Sequence, residues 1–285
     1  MTKPELNAQH LVFNTTTILS AGAKEVIEAA AAGGYDAISI WPEDLERAAA
    51  KGISVEEVRI MLELNGLVVA DIDPLLTWSD LVRPKPGQGN FDFAEPDVFF
   101  DIAEKLGARS INAVQGFGSS LDLDRAAEDL AALCDRAKEH DLIVTLEFLP
   151  WSGVPNAAVG VDLCERTGRA NATILFDSWH WFRGGADLEM LRKVPGERIG
   201  STQWNDAPAE PWPSLPEESM QARLSPGEGV IPLVELVRTL DAIGSQAPIG
   251  VEVINTRYES MDPKEVGRTT AADIRRVLAE ARSHE

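Results

Sequence analysis

Short apolar runs alternate along the chain with longer stretches in which apolar residues recur every three or four positions. The runs are Leu11–Thr16, Asp36–Trp41, Leu67–Asp73, Ser110–Gly116, Leu142–Phe148, Ala172–Asp177, Arg198–Asp206 and Pro248–Val253. The most apolar of them, such as Ala172–Phe176, lack polar alternation, as a parallel strand covered on both faces requires. Between them, helical spacing covers Ala23–Ala32, Val55–Leu64, Pro96–Leu106, Leu123–His140, Ala157–Thr167, Ile231–Ile243 and Pro263–Arg282. Gly33-Gly34 stops the first helix and Ser54 caps the second. Strand and helix in repeated alternation predict a (β/α)8 TIM barrel, with residues 1–285 as a single domain. The rival, a doubly wound open sheet, is disfavoured because no Gly-rich dinucleotide loop follows the first strand.

Two long loops interrupt the alternation, at 79–90 and 207–229, and both read as lids over an active site. The exposed part at 207–220 suits a lid or an oligomer contact equally.

Composition narrows the partners. A net charge of −20 disfavours nucleic acid and anionic membrane surfaces. A metal cation or a neutral polyol is easier to accommodate. Cys134 and Cys164 sit in helical segments among apolar neighbours and read as buried free thiols. With no signal-peptide pattern and no apolar run near membrane-spanning length, a cytoplasmic location is expected.

In a barrel the C-terminal ends of the strands converge on one mouth, where chemistry occurs. Glu147, Asp177, Gln203 and Glu252 end the fifth to eighth runs in turn and would meet there. Three carboxylates pressed together repel, so protons, basic side chains or a cation must compensate. Basic residues are few in this region, namely His180, Arg183, Arg223 and Arg257, which makes one divalent ion the simpler account. An all-oxygen donor set suits Mn²⁺ or Mg²⁺, with Co²⁺ and Zn²⁺ as alternatives. For Asp177 alone, a helix-capping role is an equally good reading. His180, three residues past Asp177, can donate to a substrate hydroxyl or carbonyl, although a lone histidine among aromatics is more often merely packed. Trp41, Trp78, Trp151, Trp181 and Trp204 fall at or just after strand ends, where their faces could wall a sugar ring. Trp181 is the one expected at the substrate.

Glu147, the Asp-Ser-Trp-His run at 177–180, Gln-Trp-Asn-Asp at 203–206, Arg223 with Ser-Pro-Gly-Glu-Gly-Val-Ile, and the final Val-Glu-Val resemble the xylose isomerase-like TIM barrels. That group includes sugar isomerases, ketose 3-epimerases, inosose isomerase, inosose dehydratase, 3-dehydroshikimate dehydratase and an endonuclease branch. The Asp-Ser-aromatic-His run, the Pro-Gly-x-Gly loop and the Tyr258–Asp273 tail are most similar to the inosose isomerases. The resemblance implies that Glu147, Asp177, Gln203 and Glu252 hold the metal, that His180 and Arg223 contact substrate, and that Glu147 and Glu252 exchange protons. It implies a small-molecule sugar or polyol substrate and a homodimer or homotetramer. Gln203 departs from the histidine common at its position and matches dehydroshikimate-dehydratase-like members. The activity implied is isomerisation or epimerisation of a keto-polyol or ketose through a metal-stabilised enediolate. The alternative is dehydration of a cyclic keto-polyol or a 3-dehydroshikimate-like acid. The acidity of the chain and its scarcity of histidine disfavour the endonuclease branch. A barrel that binds metal without turnover is the remaining alternative.

Overall fold

The computed structural model describes residues 4–85 and 93–283. Eight strands, β1 (Leu11–Asn14), β2 (Ala37–Ile40), β3 (Val68–Leu75), β4 (Ser110–Val114), β5 (Ile143–Glu147), β6 (Ala172–Asp177), β7 (Ile199–Trp204) and β8 (Ile249–Val251), run in sequence order. Each pairs in parallel with the next, and β8 pairs back to β1, so the sheet closes. This is the (β/α)8 barrel expected from the alternation; β6 matches its expected run, β3 runs on two residues to Leu75, and the other strands lose one or two residues at an end.

The helices are α1 (Ala23–Gly33), α2 (Pro42–Ala50), α3 (Val55–Leu64), α4 (Pro96–Leu106), α5 (Leu123–Glu139), α6 (Ala157–Arg166), α7 (Ser178–Arg183), α8 (Leu188–Leu191), α9 (Leu215–Gln221), α10 (Leu233–Ala242) and α11 (Pro263–Arg282). Ser54 caps α3 through a reciprocal box with Glu57, as its position suggested. Four helices, α2, α7, α8 and α9, fall outside the expected set, and three of them bear on the site. Helix α2 starts on Pro42, which reads as a breaker yet fits a first helical turn, where its missing N–H is not needed. Helix α9 lies inside the Pro-rich loop, again with proline in its first turn. Helix α7 begins immediately after Asp177. Of the 79–90 loop, residues 86–90 lie outside the described residues.

The final helix packs across the first through glycines. A Cβ on Gly267 would stand 2.0 Å from the carbonyl oxygen of Ala29, and one on Gly33 would stand 2.4 Å from that of Gly267. The apolar core runs continuously between the barrel wall and its helices, with Phe13, Phe99, Phe148, Phe176, Trp179 and Trp204 among its largest members. Cys134 and Cys164 are both buried and unbridged, and burial pushes the Cys134 thiol up to about 12. Among the described residues no helix is long and apolar enough to cross a membrane.

Candidate active site

Closure of the barrel carries the ends of β5 to β8 to one mouth. Glu147 is the last residue of β5 and Asp177 of β6, Gln203 is next to last in β7, and Glu252 directly follows β8. All four side chains are buried, Asp177 completely. Glu147, Asp177 and His180 each offer one ligand atom, and these atoms lie within 4.8 Å of one another. Glu147 and Glu252 face a cavity of about 290 Å³, with Arg223 and His180 also in its lining.

Asp177 serves the helix and the cluster together. Its Oδ1 accepts the backbone N–H of His180 at 2.8 Å, capping α7. Its Oδ2 accepts from Arg223 Nη1 at 2.8 Å and from Asn205 Nδ2 at 2.9 Å. The cap sets where His180 enters the cavity. His180 Nε2 stands 3.2 Å from Arg223 Nη2 and 3.4 Å from Glu147 Oε1, while its buried Nδ1 has no protein partner.

Arg223 supplies the main positive charge. Its Nη1 meets Glu252 Oε2 at 2.8 Å as well as Asp177, and its Nε and Nη2 donate to the Ser219 backbone oxygen and hydroxyl on α9, both at 2.8 Å. Its main chain is held by Ile254 and Asn255 beyond β8. One guanidinium cannot balance the whole cluster. Desolvation pushes the Glu252 carboxyl up to about 7, Arg223 opposing and Glu147 and Asp177 adding to the shift.

A fourth carboxylate completes the cluster. Asp73, two residues beyond Asp71 on the same inward face of β3, is buried and lines the cavity. Asn112 Nδ2 donates to Asp73 Oδ1 at 2.7 Å and to Glu147 Oε2 at 2.9 Å. Gln203 Nε2 donates to Asp73 Oδ2 at 3.3 Å. Burial, then the charges of Glu147 and Glu252, hold the Asp73 carboxyl well above the usual range. Glu43, in the first turn of α2, also lines the cavity, its Oε2 buried without a partner and its carboxyl raised by burial. The acidic endings of β3 and the Trp-Pro-Glu-Asp segment were the available signals for both.

The tryptophans divide. Trp41 and Trp151 line the cavity. Trp78, Trp181 and Trp204 belong to the core. Trp181, expected at the substrate, is turned inward by α7, its ring 6.4 Å from that of Phe176, and does not line the cavity. Trp151 stands 5.4 Å from His180 in its place, ring to ring.

The 207–220 segment lies over the mouth, with Pro216, Ser219 and Met220 in the cavity wall. Buried Glu218 pins it, accepting from Arg183 Nη2 at 2.6 Å, Trp179 Nε1 at 3.1 Å and the Trp212 backbone at 2.6 Å. Asp206 anchors the next loop by accepting the backbone N–H groups of Ala207, Gly227, Gly229 and Ile231. A Cβ on Gly229 would fall 2.5 Å from Asp206 Oδ1. Arg183 is thus committed to Glu218, and Arg257 pairs with Glu228 and donates to Tyr258 Oη, so neither lines the cavity.

The family model for xylose isomerase-like TIM barrels matches residues 27–279. Among curated proteins, the chain is 29% identical over 248 residues to a 3-dehydroshikimate dehydratase of Pseudomonas aeruginosa, covering 86% of this chain and 38% of that protein. A second, from Pseudomonas putida, is 27% identical over 92% of this chain and 40% of its own length. The chain therefore spans about two fifths of the length of these two dehydratases. An inosose isomerase of Bacillus velezensis is 24% identical over 94% of this chain and 97% of that protein. Among solved structures, a zinc-bound IOLI protein superposes with a TM-score of 0.82 at 20% identity, covering 96% of this chain and all of that one. D-Psicose 3-epimerase from Clostridium cellulolyticum, crystallised with D-tagatose, gives 0.70 at 16% identity, covering 96% of this chain and 100% of that one. The dehydratases, the inosose isomerase and the epimerase are enzymes by name, and at such identities the structural likeness speaks for the fold. With a profile match across most of its length and a closed barrel of the same kind, the chain belongs to the xylose isomerase-like TIM barrel family.

Proposed function

We propose that the chain is a divalent-metal-dependent isomerase or epimerase of a neutral keto-polyol or ketose, working through an enediolate with Glu147 and Glu252 as acid and base. The observation that carries this reading is the pair of buried glutamates, Glu147 at the end of β5 and Glu252 just past β8, that face one cavity. Of two carboxylates at one cavity, one can take a proton from the substrate and the other return it.

The donor set fits a divalent cation. Four buried carboxylates, Asp73, Glu147, Asp177 and Glu252, face a single buried guanidinium, leaving an excess of negative charge. Gln203 Oε1 is buried with no protein partner, as a ligand oxygen would be. Glu147, Asp177, Gln203 and Glu252 would hold the ion, and inclusion of His180 would widen the choice from Mn²⁺ or Mg²⁺ towards Co²⁺ or Zn²⁺. A divalent ion there polarises a carbonyl and its neighbouring hydroxyl, easing removal of the adjacent proton. Glu147 or Glu252 removes that proton and the other returns it, on the same or the neighbouring carbon. Arg223 holds Glu252 and Asp177 in place beside the substrate. His180, with Nδ1 unsatisfied, accepts or donates to a substrate hydroxyl. Trp41 and Trp151 cover the ring and exclude water.

Cavity charge favours a neutral substrate. Among the described residues lining it are Glu43, Asp73, Glu147 and Glu252 against Arg223, which is spent on Asp177 and Glu252. An organic acid would meet no uncommitted guanidinium there. A second reading, dehydration of a cyclic keto-polyol, is favoured by Gln203 and by the likeness to 3-dehydroshikimate dehydratases. Loss of a β-hydroxyl from the same enediolate needs only a different acid, for which Glu43 is placed. Turnover of inososes, ketoses and 3-dehydroshikimate by Mn²⁺-loaded and chelator-treated protein tests the proposal. Metal-dependent interconversion of a neutral ketone supports it, and turnover of 3-dehydroshikimate alone overturns it.

A further inference from the structure

The side chains beneath the four expected ligands form a directed hydrogen-bond chain. Thr145 Oγ1 donates to Asn112 Oδ1 at 2.9 Å, which leaves Asn112 Nδ2 pointing at Asp73 Oδ1 and Glu147 Oε2. The other Asp73 oxygen accepts from Gln203 Nε2 at 3.3 Å. Thr145, Asn112, Asp73 and Gln203 are all buried, so their polar atoms need partners and these contacts supply them. An amide side chain can present either its oxygen or its nitrogen to the cluster, and only the oxygen can bind a cation. With Asp73 accepting from the nitrogen, Gln203 Oε1 is left without a partner on its other side.

We infer that Asp73 is a positioning residue: it fixes Gln203 with its carbonyl oxygen towards the cation and, through Asn112, fixes the orientation of Glu147. The inference rests on the metal-dependent reading above. It gives a role to a carboxylate that, among the described residues, pairs with no basic side chain yet stands in a crowded acidic cluster, where each added negative charge is unfavourable. Groups that orient metal ligands in this way commonly change metal affinity by about 10- to 100-fold when replaced. It also separates Asp73 from Glu147 and Glu252, which exchange protons with substrate.

The test is Co²⁺ binding, read by calorimetry and by the visible absorption of the bound ion, neither of which requires turnover. Asp73→Asn places an amide against the Gln203 amide, and Gln203→Glu places a carboxylate against Asp73. Each single variant is expected to weaken Co²⁺ by about tenfold or more and to shift the ligand-field bands. The double variant, Asp73→Asn with Gln203→Glu, exchanges donor and acceptor: the introduced amide donates to the introduced carboxylate and still accepts from Asn112. It is expected to regain affinity to within a few-fold of wild type. Should a single variant not fold, recovery of both fold and Co²⁺ binding in the double supports the same pairing. Single variants with wild-type affinity and spectrum, or a folded double that binds no better than the singles, overturn the inference. A wild-type chain that binds no Co²⁺ overturns the metal-dependent reading itself.

Discussion

Arg223 Nη1 stands 2.8 Å from Asp177 Oδ2 and, at the same distance, from Glu252 Oε2, so one nitrogen ties the end of β6 to the end of β8. All three groups are buried, and the pairing is the local counter-charge to an acidic cluster. Removing one partner of such a buried set leaves uncompensated charge and costs about 3–5 kcal/mol. Arg223→Gln is expected to lose that amount of stability without added metal and to recover part of it when Mn²⁺ is present, measured by thermal unfolding in chelator and in Mn²⁺. Equal losses in both would mean that the cation does not share the charge balance.

The pH dependence of the metal-free protein follows from the raised carboxyls. Glu252 is pushed to about 7 in the folded chain, against about 4.3 unfolded, and Asp73 is raised well above its usual value. The folded state therefore binds more protons than the unfolded state in that window. Stability of the chelated protein rises as pH falls from about 8 towards 5, by up to roughly 1.4 kcal/mol per pH unit for each such proton. With metal the trend reverses, because protons compete for the ligands. Asp73→Asn flattens the metal-free slope. Unfolding midpoints between pH 5 and 8, with and without metal, measure all three.

Trp151 and Trp181 separate a cavity wall from a core brace. Trp181→Ala is expected to cost about 3–5 kcal/mol of stability through the void it leaves beside Phe176. Trp151 is half-buried at the cavity wall, and Trp151→Ala is expected to cost less stability than Trp181→Ala and to raise KM several-fold, about 1 kcal/mol of lost ring contact. Denaturant titrations and steady-state kinetics on the two variants show the split, and a KM effect confined to Trp181→Ala contradicts the assignment.

The barrel was legible because each strand is a compact apolar run and each flanking helix keeps its spacing, as in Ala172–Asp177 and Pro263–Arg282. Strand ends in acidic or amide residues carried Glu147, Asp177, Gln203 and Glu252 to the mouth. Asp73 passed unnoticed although Asp71 and Asp73 stand two apart on one strand face, because Asp71 looks like its equal. In the folded chain Asp71 turns to Ser110 and Ser201 inside the barrel, and only Asp73 reaches the cavity. Trp181 is expected at the substrate because it falls just past a strand end. Capping by Asp177 makes the residues after it helical, and a helical turn sends His180 and Trp181 in different directions. Arg223 could be named but not located, since its contacts depend on α9, whose proline-led start reads as a loop.

If Glu147 and Glu252 move a proton on a neutral ketone, solvent deuterium enters the substrate. Proton NMR of the Mn²⁺-loaded protein in D₂O with inososes, ketoses and 3-dehydroshikimate, beside Glu147→Gln and Glu252→Gln, reads this. Deuterium is expected at a carbon next to the carbonyl of a neutral substrate without loss of water, slowed by about 10²- to 10⁴-fold in either variant. A conjugated enone formed with loss of water from 3-dehydroshikimate, and no deuterium in any neutral ketone, would contradict this proton transfer.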